Sequence, residues 1–340
     1  MNQMTNIAIV GATGVVGKAM LEVLEARNFP LNQLFLLASE RSENQSFLYK
    51  KEKITVQSLD AFDFNQVQIA LFAIGSELTK RYVPEAVKAG CVVIDNSSTY
   101  RYDPNVPLVI PEVNADCIAD YVHQNIIANP NCSTIQMLVA LKPIHDAVGI
   151  KRINVATYQS VSGSGKQAIS ELITQLGQLL NGKPAKSEVY AQQIAFNVLP
   201  HIDEFLENNY TREEMKMVWE TQKILADDRI LVNPTAVRVP VLYGHSEAIH
   251  LELMAPLSVD EARATLRQAP GVKVIDDPKK QHYPTPFTHA IGQDKVLVGR
   301  IREDISHPCG LNLWVVADNI RKGAATNAVQ IAEILQQQYL

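Results

Sequence analysis

The sequence has few cysteines and no long apolar run, and each of these features excludes certain classes of protein. Its four cysteines are scattered over 340 residues without a CxxC pair, so neither a disulfide framework nor a zinc site is predicted. No stretch approaches the roughly 18 apolar residues of a membrane span, and the N-terminus does not resemble a signal peptide. We therefore expect a cytoplasmic protein that has no membrane partner and binds no metal.

Neither sign of charge predominates strongly in the sequence. The formal net charge is −5 and no run of like charges occurs, which disfavours nucleic acid as a partner. Hydrophobic residues make up 46% of the chain, enough to fill sizeable cores, and the length exceeds that of one ordinary domain. These properties indicate a globular enzyme of two domains.

The first third of the sequence alternates short apolar runs with helical patterns. An apolar run at 6–10 leads into a glycine-rich segment at 11–17 and then a helical pattern, and further apolar runs lie at 34–38, 69–74 and 91–95. Continuous apolar runs are typical of parallel strands that are buried on both faces. We predict an α/β fold here, an N-terminal Rossmann-like dinucleotide-binding domain.

The pattern changes after about residue 150. Longer alternating segments at 153–159 and 247–254 predict a second, α+β domain built on a large, mostly antiparallel sheet. The C-terminal segment has helical periodicity and is predicted to return to the first domain. We therefore expect one domain from 1–128 with 319–340 and another from 129–318.

The glycine-rich segment predicts a dinucleotide site. A strand, Gly-x-x-Gly-x-x-Gly and a helix in this order let the backbone approach a pyrophosphate, whereas a plain tight turn is the alternative interpretation. After the second strand, Arg41 between hydroxyl side chains favours the 2′-phosphate of NADP, and Glu40 would instead suit NAD. The residues predicted to bind the cofactor here are Gly11, Thr13, Gly14, Val15, Val16, Ser39, Arg41 and Ser42.

Cys132 lies between a predicted extended run at 121–128 and a helical pattern at 133–145. The N-terminus of a helix lowers the pKa of a thiol and favours the nucleophilic thiolate. A buried structural cysteine is the alternative, since free cysteine is among the most buried residue types. Beside a nicotinamide cofactor, a nucleophilic cysteine indicates aldehyde or acyl chemistry through a thioester.

Four segments together resemble the aspartate-semialdehyde dehydrogenase family, and the resemblance spans nearly the whole chain. It implies the reversible, NADP-dependent reductive dephosphorylation of L-aspartyl 4-phosphate to L-aspartate 4-semialdehyde and phosphate, in lysine, methionine and threonine biosynthesis. It also implies a homodimer, an NADP-binding first domain, and a second domain for catalysis and dimerisation. The segments are GATGVVG at 11–17, NPNCST at 129–134, QSVSGSG at 159–165, and RVPV with the following GHSE at 238–247.

The resemblance assigns roles to individual residues. Cys132 matches the nucleophile that forms the acyl-thioester, His245 the general acid/base, and Gln159 the residue that orients the acyl group. Arg238 matches the ligand of the substrate α-carboxylate, and Glu213 is expected to bind the substrate ammonium group. The further matches are Arg101, Lys216 and Asn131 for phosphate, and Ser162, Gly163, Asp318 and Asn319 for the nicotinamide end of the cofactor.

Three alternatives stay open at this point. An N-acetyl-glutamyl-phosphate reductase would share the cofactor loop, the cysteine and the histidine, but an acetylated amine would not need the acid at Glu213. A cysteine hydrolase would use Cys132 and His245 and leave the glycine-rich segment unexplained. A dinucleotide sensor would keep the fold without a reactive cysteine.

Overall fold

The computed structural model describes residues 4–340. The chain divides into two compact units: unit 1 runs to Asn131 and resumes at Ala324–Leu340, and unit 2 is the intervening Cys132–Gly323. The described residues include no helix that is long and apolar enough to cross a membrane. The two units are described separately below.

Each unit contains one sheet. The strands, all within residues 4–340, are β1 (Thr5–Val10), β2 (Leu31–Ala38), β3 (Ser46–Tyr49), β4 (Glu52–Ser58), β5 (Ile69–Phe72), β6 (Val92–Asp95) and β7 (Ile126–Ala128) in unit 1, and β8 (Ile150–Gln159), β9 (Leu231–Arg238), β10 (His245–Leu253), β11 (Val272–Val274), β12 (Val296–Glu303) and β13 (Gly310–Ala317) in unit 2.

The α-helices surround these sheets. They are α1 (Val15–Ala26), α2 (Ser76–Lys88) and α3 (Pro111–Asn114) in unit 1, then α4 (Cys132–Val148), α5 (Lys166–Leu180), α6 (Arg212–Leu225) and α7 (Val259–Gln268) in unit 2, and finally α8 (Thr326–Gln338), which belongs to unit 1.

The sheet of unit 1 has the strand order β3-β4-β2-β1-β5-β6-β7, and every pair is parallel except β3 with β4. Its central strands are buried along their length, as the continuous apolar runs predict. The α/β fold predicted for the first part of the chain is confirmed.

The C-terminal helix is bound to the N-terminal part of unit 1. The Arg27 guanidinium donates two hydrogen bonds to the Glu333 carboxylate at 2.7 and 2.6 Å, and Gln336 Nε2 donates to Thr5 Oγ1 at 2.8 Å. The apolar residues of α8 are buried except Ile334, which is half-buried. Unit 1 is therefore built from both ends of the chain.

The predicted extended run at 121–128 is wrong over most of its length. Ala115–His123 is a 3-10 helix, and only Ile126–Ala128 is a strand. Asn125 takes a left-handed conformation (φ 52°) and its N–H bonds to the Tyr121 carbonyl at 2.7 Å. Asn tolerates this conformation better than most residues, so a turn separates the helix from a short strand.

The sheet of unit 2 has the order β11-β12-β13-β10-β8-β9. Strand β10 pairs antiparallel with β8 and β13, and β12 with β13, whereas β8–β9 and β11–β12 are parallel. The predicted mostly antiparallel sheet is confirmed. Strands β8 and β9 are parallel, and β10 runs in the opposite direction. The C-terminal ends of β8 and β9 therefore lie at the same edge of the sheet as the N-terminal end of β10.

The glycine turn of unit 1 is tightly packed. Gly11 has φ +88°, which favours glycine, and its N–H bonds to the Leu37 carbonyl at 2.8 Å. A Cβ at Gly17 would lie 2.2 Å from the Gly11 carbonyl oxygen. The turn between β1 and α1 therefore needs glycine at both positions.

We predict that Gly17→Ala lowers the melting temperature of the protein, because the new methyl group forces α1 away from the turn at a cost of about 1–3 kcal/mol. Gly75→Ala is the matched control, since a Cβ there meets nothing within 4 Å. Thermal unfolding followed by circular dichroism measures both. Equal melting temperatures for the two variants would contradict the close packing of Gly17.

Candidate active site

Three predicted site residues lie at one end of the sheet of unit 2. Gln159 ends β8, Arg238 ends β9, and the two are paired in register. His245 begins β10, one residue before the pairing of Ser246 with Tyr158. All three side chains are buried. The topology thus brings together residues that are up to 86 positions apart in the sequence.

An acidic residue faces the amide of Gln159. Gln159 Nε2 donates to Glu213 Oε1 at 3.1 Å, and Lys216 Nζ donates to Glu213 Oε2 at 3.1 Å and to Asp203 Oδ2 at 2.8 Å. A capping box at Thr211 begins α6 and fixes Glu213 in the first turn. The structure therefore places a buried carboxylate beside the residue predicted to orient the acyl group.

Ser160 orients two neighbours through its main chain. Its carbonyl accepts a hydrogen bond from Arg238 Nη1 at 2.7 Å, and its N–H donates to His245 Nδ1 at 3.1 Å. Arg238 Nε has no hydrogen-bond partner in the described part of the chain. A guanidinium that is held on one side with a donor left over suits a carboxylate ligand.

The surroundings of His245 favour its uncharged imidazole. Burial lowers the pKa of this imidazole to about 3, the positive charge of Arg238 adds to the effect, and Glu213 and the Gly244 carbonyl oppose it. Its Nε2 atom has no hydrogen-bond partner among residues 4–340. A Cβ on Gly163 would lie 3.4 Å from this Nε2 and 3.0 Å from Arg238 Nη1, so the glycine leaves room beside both side chains.

Cys132 is the first residue of α4 and is half-buried. The predicted position at a helix N-terminus is therefore confirmed, and it favours a thiolate. Gly323 contacts the cysteine closely, because a Cβ there would lie 2.8 Å from the Cys132 Cβ. By contrast, burial raises the pKa of the Cys91 thiol to about 12, and mainly burial raises that of Cys117.

Asp318 and Asn319 hold the main chain of unit 2. The Asp318 carboxylate accepts from the N–H groups of Gly292, Ile320 and Arg321 at 2.9 to 3.1 Å. Asn319 Oδ1 accepts from Gly244 N–H at 2.9 Å. The contact of these two residues with the nicotinamide stays a prediction.

Arg101 is fixed within unit 1. Its Nε donates to the Asn129 carbonyl at 2.9 Å and its Nη2 to the Asn96 carbonyl at 2.8 Å. Arg101 and Asn131 are both buried. Burial raises the pKa of the Asp95 carboxyl, and the positive charge of Arg101 partly lowers it.

The cofactor segment of unit 1 fits a dinucleotide. Gly14 is the N-cap of α1 and offers no side chain to the first N–H groups of the helix, which suits a phosphate. Ser39, Arg41 and Ser42 directly follow β2, where Glu40–Ser42 form a 3-10 turn. Arg41 and Glu40 are both exposed.

Comparison with known proteins identifies the family. A family model described as "Semialdehyde dehydrogenase, NAD binding domain" matches residues 6–121, and "Semialdehyde dehydrogenase, dimerisation domain" matches 141–322. An aspartate-semialdehyde dehydrogenase of Legionella pneumophila is 64% identical over 340 residues, which are all of this chain and 98% of the relative. The chain belongs to the aspartate-semialdehyde dehydrogenase family.

A solved structure agrees with this assignment. Aspartate semialdehyde dehydrogenase II from Vibrio cholerae, described as complexed with ASA, has a TM-score of 0.98 and 58% identity, with 99% of this chain and 100% of that chain covered. A structure of a probable aspartate-semialdehyde dehydrogenase from Pseudomonas aeruginosa has a TM-score of 0.94 at 34% identity. The family resemblance seen in the four sequence segments is confirmed.

Three further positions of this family member contribute to the site without having been predicted from the sequence. Ser160 was part of a motif, but nothing in its neighbourhood signalled that its main chain orients Arg238 and His245. Gly323 is 191 positions from Cys132, so no local pattern links them. Glu247 follows His245 by two residues on a strand, and alternation along β10 was the signal that it is buried on the same face.

Glu247 is a buried acid. Its side chain is fully enclosed, and neither of its carboxyl oxygens makes a hydrogen bond of standard geometry to another described residue. Burial raises the pKa of this carboxyl well above its usual value, and the nearby Gln136 amide partly lowers it. Gln136 is one helical turn after Cys132, so this contact links β10 to the helix that begins with the cysteine.

We predict that Glu247→Gln stabilises the protein more at pH 8 than at pH 5. The unfolded chain releases the Glu247 proton above about pH 4.3 while the folded protein keeps it, so the carboxyl destabilises the fold increasingly as the pH rises. Each kcal/mol relieved raises the melting temperature by about 2–4 °C. Thermal unfolding of both proteins at several pH values checks this.

Glu252→Gln is the control for that experiment. Glu252 lies on the same strand, but it is half-buried and lies 3.7 Å from Arg152. We expect no stabilisation that grows with pH in this variant. A Glu247→Gln melting temperature that stays below that of the wild type at pH 8 would show that the acid is charged and paired.

Proposed function

We propose that this chain catalyses the reversible, NADP-dependent reductive dephosphorylation of L-aspartyl 4-phosphate to L-aspartate 4-semialdehyde and phosphate. The observation that supports it most is the buried group of Gln159, Glu213, Arg238 and His245 at one end of the sheet. An acid and an arginine match a free α-ammonium and a free α-carboxylate. Family membership supplies the reaction class.

The first half-reaction is an acyl transfer to the enzyme. The Cys132 thiolate attacks the acyl carbon, the C–S bond forms and the C–O bond to the phosphate breaks. The departing phosphate takes up the proton that the thiol released, and His245 carries that proton as the general acid/base. The helix N-terminus stabilises the thiolate before the attack. Gln159 orients the acyl group without introducing a charge that would compete for the cysteine.

The second half-reaction converts the thioester to the aldehyde. NADPH, when bound, supplies the hydride that reduces the acyl carbon. The C–S bond then breaks, the aldehyde leaves, and Cys132 returns to the thiolate. Glu213 holds the substrate ammonium and Arg238 its α-carboxylate throughout, so that the acyl carbon does not move between the two halves.

Further residues bind phosphate and cofactor in this proposal. Arg101, Lys216 and Asn131 bind the phosphate, and the exposed Arg41 selects NADP over NAD. Unit 1 is the NADP-binding domain, and unit 2 carries catalysis and dimerisation. The other proposed cofactor contacts are Gly11, Thr13, Gly14, Val15, Val16, Ser39, Ser42, Ser162, Gly163, Asp318 and Asn319.

We further propose that the enzyme is a cytoplasmic homodimer. The sheet of unit 2 supplies a face for the partner, because Ala248, His250 and Glu252 of β10 are only half-buried while the intervening residues are enclosed. The rings of Tyr158 and Trp314 lie 5.5 Å apart, and Tyr158 is exposed in the single chain. A second copy would cover these side chains.

We predict that the wild type reduces NADP with aspartate semialdehyde only when phosphate is present, and that Cys132→Ala abolishes turnover because no thioester forms. The absorbance of NADPH at its nicotinamide band measures both. Retention of wild-type turnover by the variant would overturn the mechanism. Preference for N-acetyl-glutamate semialdehyde would instead favour the reductase alternative.

We predict that Arg238→Lys lowers kcat/KM for aspartate semialdehyde by about 100-fold, since a lysine ammonium cannot make the paired hydrogen bonds of a guanidinium to the α-carboxylate. Arg229→Lys, at a largely exposed position of the same unit, is the control and should stay at the wild-type rate. Steady-state kinetics with aspartate semialdehyde and NADP measures kcat/KM for both variants. An unchanged kcat/KM in Arg238→Lys would show that Arg238 does not bind the substrate.

A further inference from the structure

Three asparagine side chains of unit 1 are joined end to end by hydrogen bonds. Asn327 Nδ2, in the first turn of α8, donates to Asn129 Oδ1 at 2.7 Å, and Asn129 Nδ2 donates to Asn96 Oδ1 at 2.8 Å. Asn327 and Asn129 are buried, and Asn96, which directly follows β6, is half-buried. This asparagine triad therefore connects the C-terminal helix to the end of β6.

Main-chain carbonyls fix the direction of the triad at both ends. Asn327 Nδ2 also donates to the Val109 carbonyl at 2.9 Å, and Asn96 Nδ2 donates to the Phe72 carbonyl at 2.8 Å. A main-chain carbonyl only accepts, so the atom that faces each of them is the amide nitrogen. Asn129 lies between two amides of fixed orientation, and its own amide can therefore point only one way.

Two members of the triad also hold Arg101 through their main chains. The Asn129 carbonyl accepts from Arg101 Nε at 2.9 Å, and the Asn96 carbonyl accepts from Arg101 Nη2 at 2.8 Å. The Asn129 N–H donates to the Asp95 carbonyl at 2.8 Å, and the Asn96 N–H donates to the Phe72 carbonyl at 3.1 Å. Both asparagines thus bond through their main-chain groups and through both ends of their amides, so neither can shift without the loss of several hydrogen bonds.

We propose that the asparagine triad positions Arg101 for phosphate binding. The inference rests on the proposed function, in which the Arg101 guanidinium binds the phosphate of L-aspartyl 4-phosphate. Asn131, which is also proposed to bind phosphate, follows Asn129 by two residues. The triad therefore sets the place of two phosphate ligands, and α8 contributes to phosphate binding through the enclosed side chain of Asn327.

The advantage of such a triad is preorganisation. A guanidinium is planar, and its hydrogen bonds to an oxyanion depend on the orientation of that plane. Carbonyls on two of the Arg101 nitrogens fix the plane before phosphate arrives, so binding does not have to order the side chain. A buried acceptor such as Asn129 Oδ1 is stable only with a donor. Loss of the Asn327 amide therefore displaces Asn129 and, with its carbonyl, Arg101.

We predict that Asn327→Ala and Asn96→Ala each raise the KM for inorganic phosphate by about 10-fold in the reduction of NADP by aspartate semialdehyde. The KM values for aspartate semialdehyde and NADP should change by less than about 2-fold. A merely structural role would lower the active fraction and kcat without a selective effect on phosphate. Asn96 is the less buried of the two, so its variant tests the triad even where Asn327→Ala folds poorly. An unchanged phosphate KM in a folded variant would overturn the inference.

Gln330→Ala is the matched control. Gln330 also lies on α8, and its Nε2 donates to Glu112 Oε1 at 3.0 Å, so the variant removes a polar contact of the same helix outside the triad. We expect its phosphate KM to equal that of the wild type. A rise as large as that in Asn327→Ala would show that any loosening of α8 weakens phosphate binding, and would overturn the role of the triad.

A double-mutant cycle shows whether the triad acts through Arg101. Arg101→Ala alone should raise the phosphate KM more than Asn327→Ala does, and combining the two should cause no further increase. Independent, additive effects would overturn action through Arg101. A wild-type phosphate KM in Arg101→Ala would contradict the phosphate role of Arg101 in the proposed function as well, whereas an increase in Arg101→Ala with none in Asn327→Ala would overturn this inference alone.

Discussion

The main chain of Ser160 is the constraint on which the rest of the site depends. Ser160 directly follows β8, and its carbonyl and N–H bind the side chains of Arg238 and His245. Both partners are at ends of the neighbouring strands. The position of the two side chains is therefore as rigid as the sheet register, and a shift of one residue would turn each of them to the opposite face.

Burial shifts the pKa values of two titratable groups in unit 2. The pKa of His245 is lowered and that of Glu247 is raised, each mainly by burial, so burial favours the uncharged form of two titratable groups that are two residues apart on one strand. Glu213 and Lys216 stay paired with each other and with neighbours. Because the site contains few other unpaired charges, neighbouring groups compete little with the electrostatic interactions of Arg238 and of the cysteine thiolate.

The sequence predicted what depends on periodicity and on short motifs. Continuous apolar runs identified the parallel strands, and the helix after Cys132 was evident from its spacing. The left-handed turn at Asn125 has no apolar signature, so the sequence pattern predicts an extended run where the structure has a 3-10 helix and a turn before β7. Contacts between distant positions, such as Gly323 with Cys132 or Asn319 with Gly244, arise from tertiary packing, which local patterns do not encode. The neutral state of Glu247 likewise depends on what surrounds it.

The return of α8 to unit 1 has a consequence for the order of folding. Unit 2 is contiguous in the sequence, whereas unit 1 needs Arg27 and Thr5 to meet Glu333 and Gln336. During synthesis, residues nearer the N-terminus leave the ribosome first, so the inserted unit is complete while the sheet of the earlier unit still lacks its last helix. The nucleotide-binding unit therefore gains its last helix only after the whole of unit 2 has been synthesised, whereas unit 2 needs no segment from outside its own range.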